Sequence, residues 1–179
     1  DMGDFLPPDP ELLEKKLGQD PYISHVIVIH CETSSGILNP IKTISKIVKS
    51  FNRSLLIDSM SAFGAIPIDC AEIEFDALVS SANKCIEGVP GFGFVLTKKS
   101  VLEKSKNNSH SLSLDLYDQW KYMEEKGQWR FTPPTHTILG FLSALNQHAS
   151  EGGVIGRFNR YEANKNILVE GMRDLGFET

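Results

Sequence analysis

The chain has 179 residues, of which 41% are hydrophobic, and its formal net charge is −5. This length and composition are typical of a globular domain with a sizeable core. No basic excess indicates nucleic-acid binding, and no apolar run approaches the roughly 18 residues of a membrane span. The N-terminal segment lacks the basic start and apolar stretch of a signal peptide, and the three cysteines have no metal-like spacing. We therefore expect a cytoplasmic protein without nucleic-acid or membrane partners.

In the N-terminal half, the hydrophobic pattern predicts strands that alternate with helices. The predicted elements, in chain order, are a helix over 10–17, a strand over 26–30, an amphipathic helix that opens at Pro40, and strands over 54–58, 76–80 and 92–97. Asp9 is the expected N-cap of the first helix, with Pro10 at its first position. Alternation of this kind is typical of an α/β fold with a mostly parallel sheet. The short connection before the last strand favours an antiparallel orientation there.

In the C-terminal half, the pattern is mainly helical. A polar, serine-rich loop is predicted over 104–113, then a partly amphipathic segment over 114–126, a helix over 135–149 and a longer helix over 154–175. The pair Gly152-Gly153 is expected to end the helix over 135–149 and separate it from the last helix.

Asp58 and Lys84 are the strongest candidates for chemistry, because each lies just past a short apolar run. Ligands bind at the carboxyl ends of strands in open α/β sheets. Pyridoxal phosphate requires a lysine for its aldehyde and an acid for its pyridine nitrogen. Small residues precede Lys84 and glycines follow it, so a cofactor could approach the backbone closely. The sequence therefore predicts a pyridoxal-phosphate site.

Five segments carry a resemblance to a known family. They are HCETSSGILNP over 30–40, DSMSAFG over 58–64, SSANKC over 80–85, HSLSLDLY over 110–117 and WRFTPPTHT over 129–137. In their order and spacing they resemble the class V aminotransferases of fold-type I, and the resemblance covers nearly the whole chain. It implies the central part of the family's α/β large domain, with flanking helices on a mostly parallel sheet.

The resemblance also implies a domain division. Residues 1–153 are expected to form a partial cofactor-binding large domain, and residues 154–179 a connector helix toward a small domain. Family members are longer at both ends, where they carry a phosphate-binding turn, an aromatic that stacks on the cofactor and an arginine that grips the substrate. We therefore expect the 179-residue chain alone to be inactive and to bind the cofactor weakly.

By resemblance, Lys84 and Asp58 are the catalytic residues. Lys84 would hold the cofactor covalently and move the substrate proton, and Asp58 would keep the ring nitrogen protonated. Thr33 would bond the ring hydroxyl, Met60 would pack against the ring, and Asn83 would orient the phosphate. Thr132 matches a threonine that reaches the phosphate in the partner subunit, which implies a homodimer.

The region 110–136 resembles the phosphonate-specific branch of the family. This implies transfer of the amino group of 2-aminoethylphosphonate to pyruvate, which gives phosphonoacetaldehyde and alanine. His110, Arg130 and His136 lie in this region and are either groups for an anionic substrate or structural polar residues. Two alternatives stay open: an alanine–glyoxylate or serine–pyruvate aminotransferase, and a non-catalytic fragment.

Several polar residues are interpreted as structural. His30, at a strand end, is expected to be a polar core residue, because a lysine already supplies the proton transfer. Cys31, Cys70 and Cys85 are not expected to act as nucleophiles. Cys85 adjoins Lys84 and, in an extended chain, would point away from it.

Overall fold

The computed structural model describes residues 6–178 and confirms the α/β class. Residues 1–5 of the predicted 1–153 domain and residue 179 of the predicted connector lie outside this range. The strands are β1 (His25–Ile29), β2 (Ser54–Asp58), β3 (Ala77–Ser81) and β4 (Gly93–Thr97). The helices are α1 (Pro10–Gln19), α2 (Ile41–Ser50), α3 (Lys99–Lys104), α4 (Leu116–Lys126), α5 (Thr135–Ser150) and α6 (Gly153–Asp174).

The sheet has the order β1-β2-β3-β4, and its first three strands run parallel. β4 runs antiparallel to β3, which confirms the orientation favoured by the short connection. Ile29 pairs with Asp58, and Asp58 pairs with Val79, so Asp58 lies between two neighbouring strands at the end of their common register. This arrangement brings the carboxyl ends of β1, β2 and β3 to one edge of the sheet.

The main hydrophobic core lies between the sheet, α1 and α2. Val28, Ile57 and Leu78 are paired across three strands and are all buried. The other buried members of this core are Leu17, Ile41, Ile44, Val48, Leu55 and Ile73. A fully buried aliphatic side chain of this kind stabilises the fold by about 1.5–3 kcal/mol. Ile41, Ile44 and Val48 share one face of α2, which confirms the amphipathic helix expected from the sequence.

The predicted helix ends agree with the structure at several caps. The Asp9 side chain accepts a hydrogen bond from the Glu11 N–H at 2.9 Å, and Pro10 begins α1. The break between α5 and α6 occurs at Gly152, which has a φ of 103°. The short helix α3 follows β4 and was not predicted. No helix within residues 6–178 is long and apolar enough to cross a membrane.

A second packing centre lies beside β4. The rings of Phe94 and Phe141 have centroids 5.7 Å apart, and Phe63 and Phe92 each form an edge contact with one of them, with centroids 5.3 Å apart. This aromatic cluster joins β4 to α5 and to the loop that follows β2. It therefore fixes α5 against the strand-end edge of the sheet.

Gly64, in the loop after β2, provides a test of how tightly this edge is packed. Its φ is 95°, and a Cβ there would lie 2.4 Å from the Ile86 side chain. We expect Gly64→Ala to lower the free energy of unfolding by about 2–4 kcal/mol, from the left-handed backbone and from overpacking. Chemical denaturation measures the effect.

Gly127→Ala is the matched control, because Gly127 also has a positive φ, 65°, but no atom lies within 4 Å of the position that a Cβ would take there. We expect it to lower the free energy of unfolding by about 1 kcal/mol. Equal losses in the two variants would show that the contact between Gly64 and Ile86 is loose.

Candidate functional site

Asp58 is held in place by backbone hydrogen bonds on both sides. The His30 N–H donates to the Asp58 carbonyl at 2.7 Å, and the Ser59 N–H donates to the Val79 carbonyl at 2.9 Å. The Asp58 Oδ1 accepts from the Met60 N–H at 2.9 Å, which is an Asx turn. Within residues 6–178, no hydrogen bond engages Asp58 Oδ2. The half-buried carboxylate therefore has one oxygen free for a ligand.

The strand ends behind Asp58 are closed by a buried polar cluster. His30 is 3% exposed, and its Nδ1 lies 3.1 Å from the Ser59 hydroxyl. Burial lowers the pKa of His30 below its usual value, which favours the neutral ring. The Ser80 hydroxyl donates to the Ser59 carbonyl at 3.2 Å. His30 is thus buried and hydrogen-bonded, as expected for a polar core residue.

Lys84 lies in a closed turn directly after β3. The Gly88 N–H donates to the Ala82 carbonyl at 2.8 Å, and the Glu87 N–H donates to the Lys84 carbonyl at 2.7 Å. A Cβ on Gly88 would lie 2.7 Å from the Ala82 carbonyl oxygen, so this closure requires glycine. We call residues 82–88 the lysine loop. Its Asn83 and Lys84 side chains are exposed.

The lysine loop contacts the loop after β2 through Ser61. The Cys85 thiol donates to the Ser61 carbonyl at 3.3 Å, and the Ser61 hydroxyl lies 2.8 Å from the Thr33 hydroxyl. Segments after β1, β2 and β3 are thereby joined. The lysine loop turns, so the expectation of an extended chain at Cys85 was wrong. Cys85 is buried, and that burial raises the pKa of its thiol, so it is held as the neutral donor.

Met60 and Ser81 are two further residues of these strand-end segments whose surroundings bear on a ligand. Met60 is half-buried, and a Cβ on Gly93 would lie 4.0 Å from its terminal methyl group. The Ser81 hydroxyl, at the end of β3, is buried without a hydrogen-bond partner in the described residues. No role was predicted for Ser81 from the sequence. The feature of the sequence that could have pointed to Ser81 is its position, since this hydroxyl residue lies at the end of a strand and three residues before Lys84.

These groups fit pyridoxal phosphate chemically. Lys84 offers an exposed primary amine for an aldehyde, and Asp58 offers a carboxylate oxygen for a protonated ring nitrogen. The unpaired Ser81 hydroxyl is a donor for an anionic oxygen. Asp58 ends β2 and Lys84 lies just after the neighbouring parallel strand β3, as the sequence predicted.

Thr132 lies in a separate part of the described chain, before α5. It is exposed and lines a cavity of about 340 Å³ together with Phe92, Gly93 and the segment 129–134. No hydrogen bond joins Thr132 to Asp58 or Lys84 in residues 6–178. Its predicted contact with a partner subunit's cofactor remains a prediction.

The three cationic candidates near Thr132 differ in their surroundings. Arg130 is half-buried, forms an ion pair with Asp118 at 3.0 Å and donates to the Leu112 carbonyl at 3.0 Å. These contacts give Arg130 a structural role in the 112–130 region. His110 and His136 are exposed, and neither shares a hydrogen bond with the Asp58 or Lys84 loops in the part of the chain described.

Known proteins similar to this chain include curated transaminases. A protein of Rhizobium meliloti (strain 1021) named 2-aminoethylphosphonate–pyruvate transaminase is 60% identical over 179 residues, which cover 100% of this chain and 47% of the relative. The 2-aminoethylphosphonate–pyruvate transaminase 1 of Paraburkholderia xenovorans (strain LB400) is 59% identical over 99% of this chain and 46% of its own length. The chain therefore spans about half the length of the curated relatives it matches.

The fold has a counterpart among solved structures. The alanine–glyoxylate aminotransferase from Nostoc sp. superposes with a TM-score of 0.83 at 22% identity, over 97% of this chain and 46% of that one. At this identity the likeness shows the fold alone. The family model for class V aminotransferases matches residues 5–176. The chain accordingly belongs to the class V aminotransferases.

Proposed function

We propose that the complete protein carrying this chain is a pyridoxal-phosphate-dependent aminotransferase. It moves the amino group of 2-aminoethylphosphonate to pyruvate and gives phosphonoacetaldehyde and alanine. The observation that carries the reaction class is the placement of Asp58 and Lys84 at the ends of adjacent parallel strands, with their loops joined by the bond from Cys85 to Ser61. The names of relatives that share 59–60% of this sequence support the substrate pair.

When bound, the cofactor supplies an aldehyde that condenses with amines and a ring that withdraws electrons from the amine carbon. Lys84 Nζ would hold the aldehyde carbon before the substrate arrives. Once released, the same amine would take the proton from the substrate carbon and deliver it to the carbon that had carried the aldehyde. The free Oδ2 of Asp58 would accept a hydrogen bond from the protonated ring nitrogen, and the Met60 N–H fixes the carboxylate plane through Oδ1.

Other residues orient the cofactor. The Thr33 hydroxyl, already fixed by Ser61, would bond the ring hydroxyl. Met60 would pack against the ring, and Asn83 would bond the phosphate. Thr132 would reach the phosphate of the cofactor in a partner subunit, which makes the active protein a homodimer, and we assign this dimer to the cytoplasm.

The domain arrangement follows the same proposal. Residues 1–153 belong to the cofactor-binding large domain, and 154–179 lead into a small domain. α6 begins at Gly153, which supports this boundary.

The first test of this function is covalent retention of the cofactor by Lys84. After incubation with pyridoxal phosphate and reduction with borohydride, wild-type protein is expected to gain one cofactor mass on the peptide that contains Lys84. Lys84→Ala should retain none and lose at least about 10³-fold in turnover, because it removes both the covalent anchor and the proton carrier.

Lys42→Ala is the matched control. Lys42 is an exposed lysine on α2, and its amine lies 2.7 Å from the Glu72 carboxylate. It is expected to retain wild-type labelling. Labelling of another lysine in the Lys84→Ala variant at the wild-type level would assign the anchor elsewhere.

The second test concerns Asp58. Asp58→Asn keeps the acceptor for the Met60 N–H but cannot hold a ring proton, so turnover should fall by at least about 100-fold while some cofactor still binds. Steady-state kinetics with both substrates measures this. Asp69→Asn is the control, because Asp69 makes the same kind of turn, with the Ala71 N–H at 2.8 Å, away from the strand ends. Equal losses of turnover in both variants would mean that the Asp58 carboxylate serves only to stabilise its own turn with Met60.

The third test separates the substrate assignments. With the complete protein, kcat/KM for 2-aminoethylphosphonate and pyruvate is expected to exceed that for alanine and glyoxylate by at least about 100-fold, since a site built for a charged group rejects a ligand that leaves its partners unpaired. The two reactions are measured separately, by the alanine formed from pyruvate and by the glycine formed from glyoxylate. A reversed ratio would establish the alanine–glyoxylate alternative.

A further inference from the structure

Arg157 is the one buried side chain among the Lys, Arg, Asp and Glu residues of 6–178, with 2% of its surface exposed. It lies on α6, outside the strand-end site. A guanidinium removed from water costs free energy unless hydrogen bonds and opposite charges compensate it. Its burial is therefore explained only by the groups that it contacts.

Those contacts lie on the lysine loop and at the end of α5. Nη1 of Arg157 donates to the Cys85 carbonyl at 2.5 Å and lies 3.1 Å from the Glu87 carboxylate. Its Nε and Nη2 donate to Glu151 at 2.8 and 2.7 Å. One buried cation thus holds the lysine loop against the junction of α5 and α6.

Arg160, one turn further along α6, completes a ring of alternating charges. It lies 2.9 Å from Glu87 and 2.7 Å from Glu151, the same two carboxylates that Arg157 contacts. Its side chain is 41% exposed, and within residues 6–178 its guanidinium donates to side chains alone. Of the two arginines, Arg157 is the one that bonds the backbone of the lysine loop.

This backbone bond constrains Lys84 directly. Cys85 follows Lys84 and is fixed twice, through its carbonyl to Arg157 and through its thiol to Ser61. Glu87 is fixed as well, because its N–H bonds the Lys84 carbonyl while its side chain bonds α6. Lys84 is exposed, directly precedes Cys85, and its carbonyl accepts the bond from the Glu87 N–H, so the direction of its Cα–Cβ bond depends on both anchors.

We propose that Arg157 is a positioning residue for Lys84. It fixes the lysine loop against α6 and thereby aims the Lys84 amine at the space in front of Asp58. The proposal rests on the function assigned to Lys84 above. Arg157 acts through the loop, because its contacts are to Cys85, Glu87 and Glu151 and not to the strand-end groups.

Arginine is suited to this role in a way that lysine is not. The site requires donors toward a carbonyl and two separate carboxylates in fixed directions, which matches the planar fork of a guanidinium. A lysine keeps the charge but has one nitrogen, so it cannot serve the Cys85 carbonyl and Glu151 with the same geometry. Arg157→Lys therefore separates charge from positioning.

The first measurement is amide hydrogen exchange of the complete protein without cofactor. In Arg157→Lys, the amides of Glu87 and Gly88 should exchange roughly tenfold faster than in the wild type, because the loop loses a bond to a charged donor. Arg160→Lys is the control and should change these rates by less than about twofold, since partly exposed ion pairs contribute little. Thermal unfolding of each variant confirms that it is folded.

The second measurement is the concentration of pyridoxal phosphate that half-saturates borohydride labelling of Lys84. Arg157→Lys should require roughly tenfold more cofactor and give a weaker induced circular dichroism in the cofactor band, which reports orientation. Arg160→Lys should match the wild type in both. Where Arg157→Lys does not fold, Glu87→Gln serves instead, because it removes the charge that holds Nη1 of Arg157 beside the Cys85 carbonyl; both quantities are expected to change in the same direction by a smaller factor, and unchanged values would overturn the positioning role.

The outcomes are distinct. Unchanged exchange, unchanged half-saturation and unchanged dichroism in folded Arg157→Lys overturn the positioning role while Lys84 labelling in the wild type upholds the function. Equal effects in Arg157→Lys and Arg160→Lys also overturn it, because the backbone bond would then be irrelevant. Failure of the wild type to be labelled at Lys84 overturns the proposed function and the positioning role together.

Discussion

Parallel pairing of β1, β2 and β3 is the constraint on which the site depends. Parallel strands end at the same edge of the sheet. Asp58 and the lysine loop are therefore neighbours, although Lys84 lies 26 positions after Asp58 in the sequence. Pairing alone leaves the loops free to move. Ser61 removes part of that freedom, because its carbonyl accepts from Cys85 and its hydroxyl contacts Thr33. Sheet topology thus sets the neighbourhood, and a few polar contacts set the geometry.

The strand-end positions of Asp58 and Lys84 could be predicted because their signals are local. Each follows a short apolar run, and the glycines after Lys84 indicate a backbone that turns closely. The strands and the longer helices were predictable for the same reason, since their hydrophobic periods repeat within a few residues. The antiparallel β4 was predictable from the length of one connection, which is too short for a crossover.

The contacts that hold the lysine loop could not be predicted in this way. Arg157 bonds a carbonyl that is 72 positions away, and in the helical pattern of α6 it resembles any solvated arginine. The turn at Cys85 was also missed, because Glu87 adopts a φ of 61° that a glycine or asparagine would have signalled and a glutamate does not. Its side-chain bonds to Arg160 and Tyr161 stabilise a backbone that its residue type disfavours.

Both carboxylates of the charge ring around Arg157, Glu87 and Glu151, have lowered pKa values, which favours their ionised forms. The hydrogen bond from Arg160, with those from Arg157, lowers the pKa of Glu151 from 4.5 to about 2. Burial opposes ionisation of Glu87, but bonds from Tyr161 and Arg160 and the charge of Arg157 lower its pKa overall. Burial and the bond to Glu87 raise the pKa of Tyr161 to about 12, so it remains a donor.

A carboxyl group whose pKa is lower in the folded protein than in the unfolded chain stabilises the folded state. This stabilisation is fully present at pH values above the unfolded pKa and is lost as the pH falls through the folded pKa. For Glu151 the loss begins below about pH 4.5 and is complete below about pH 2. Between about pH 4.5 and the range where Tyr161 ionises, Glu151 stays ionised and Tyr161 stays neutral. Glu151 therefore keeps its contacts with the two arginines, and Tyr161 its bond to Glu87, across the neutral range, so the clamp on the lysine loop is constant there.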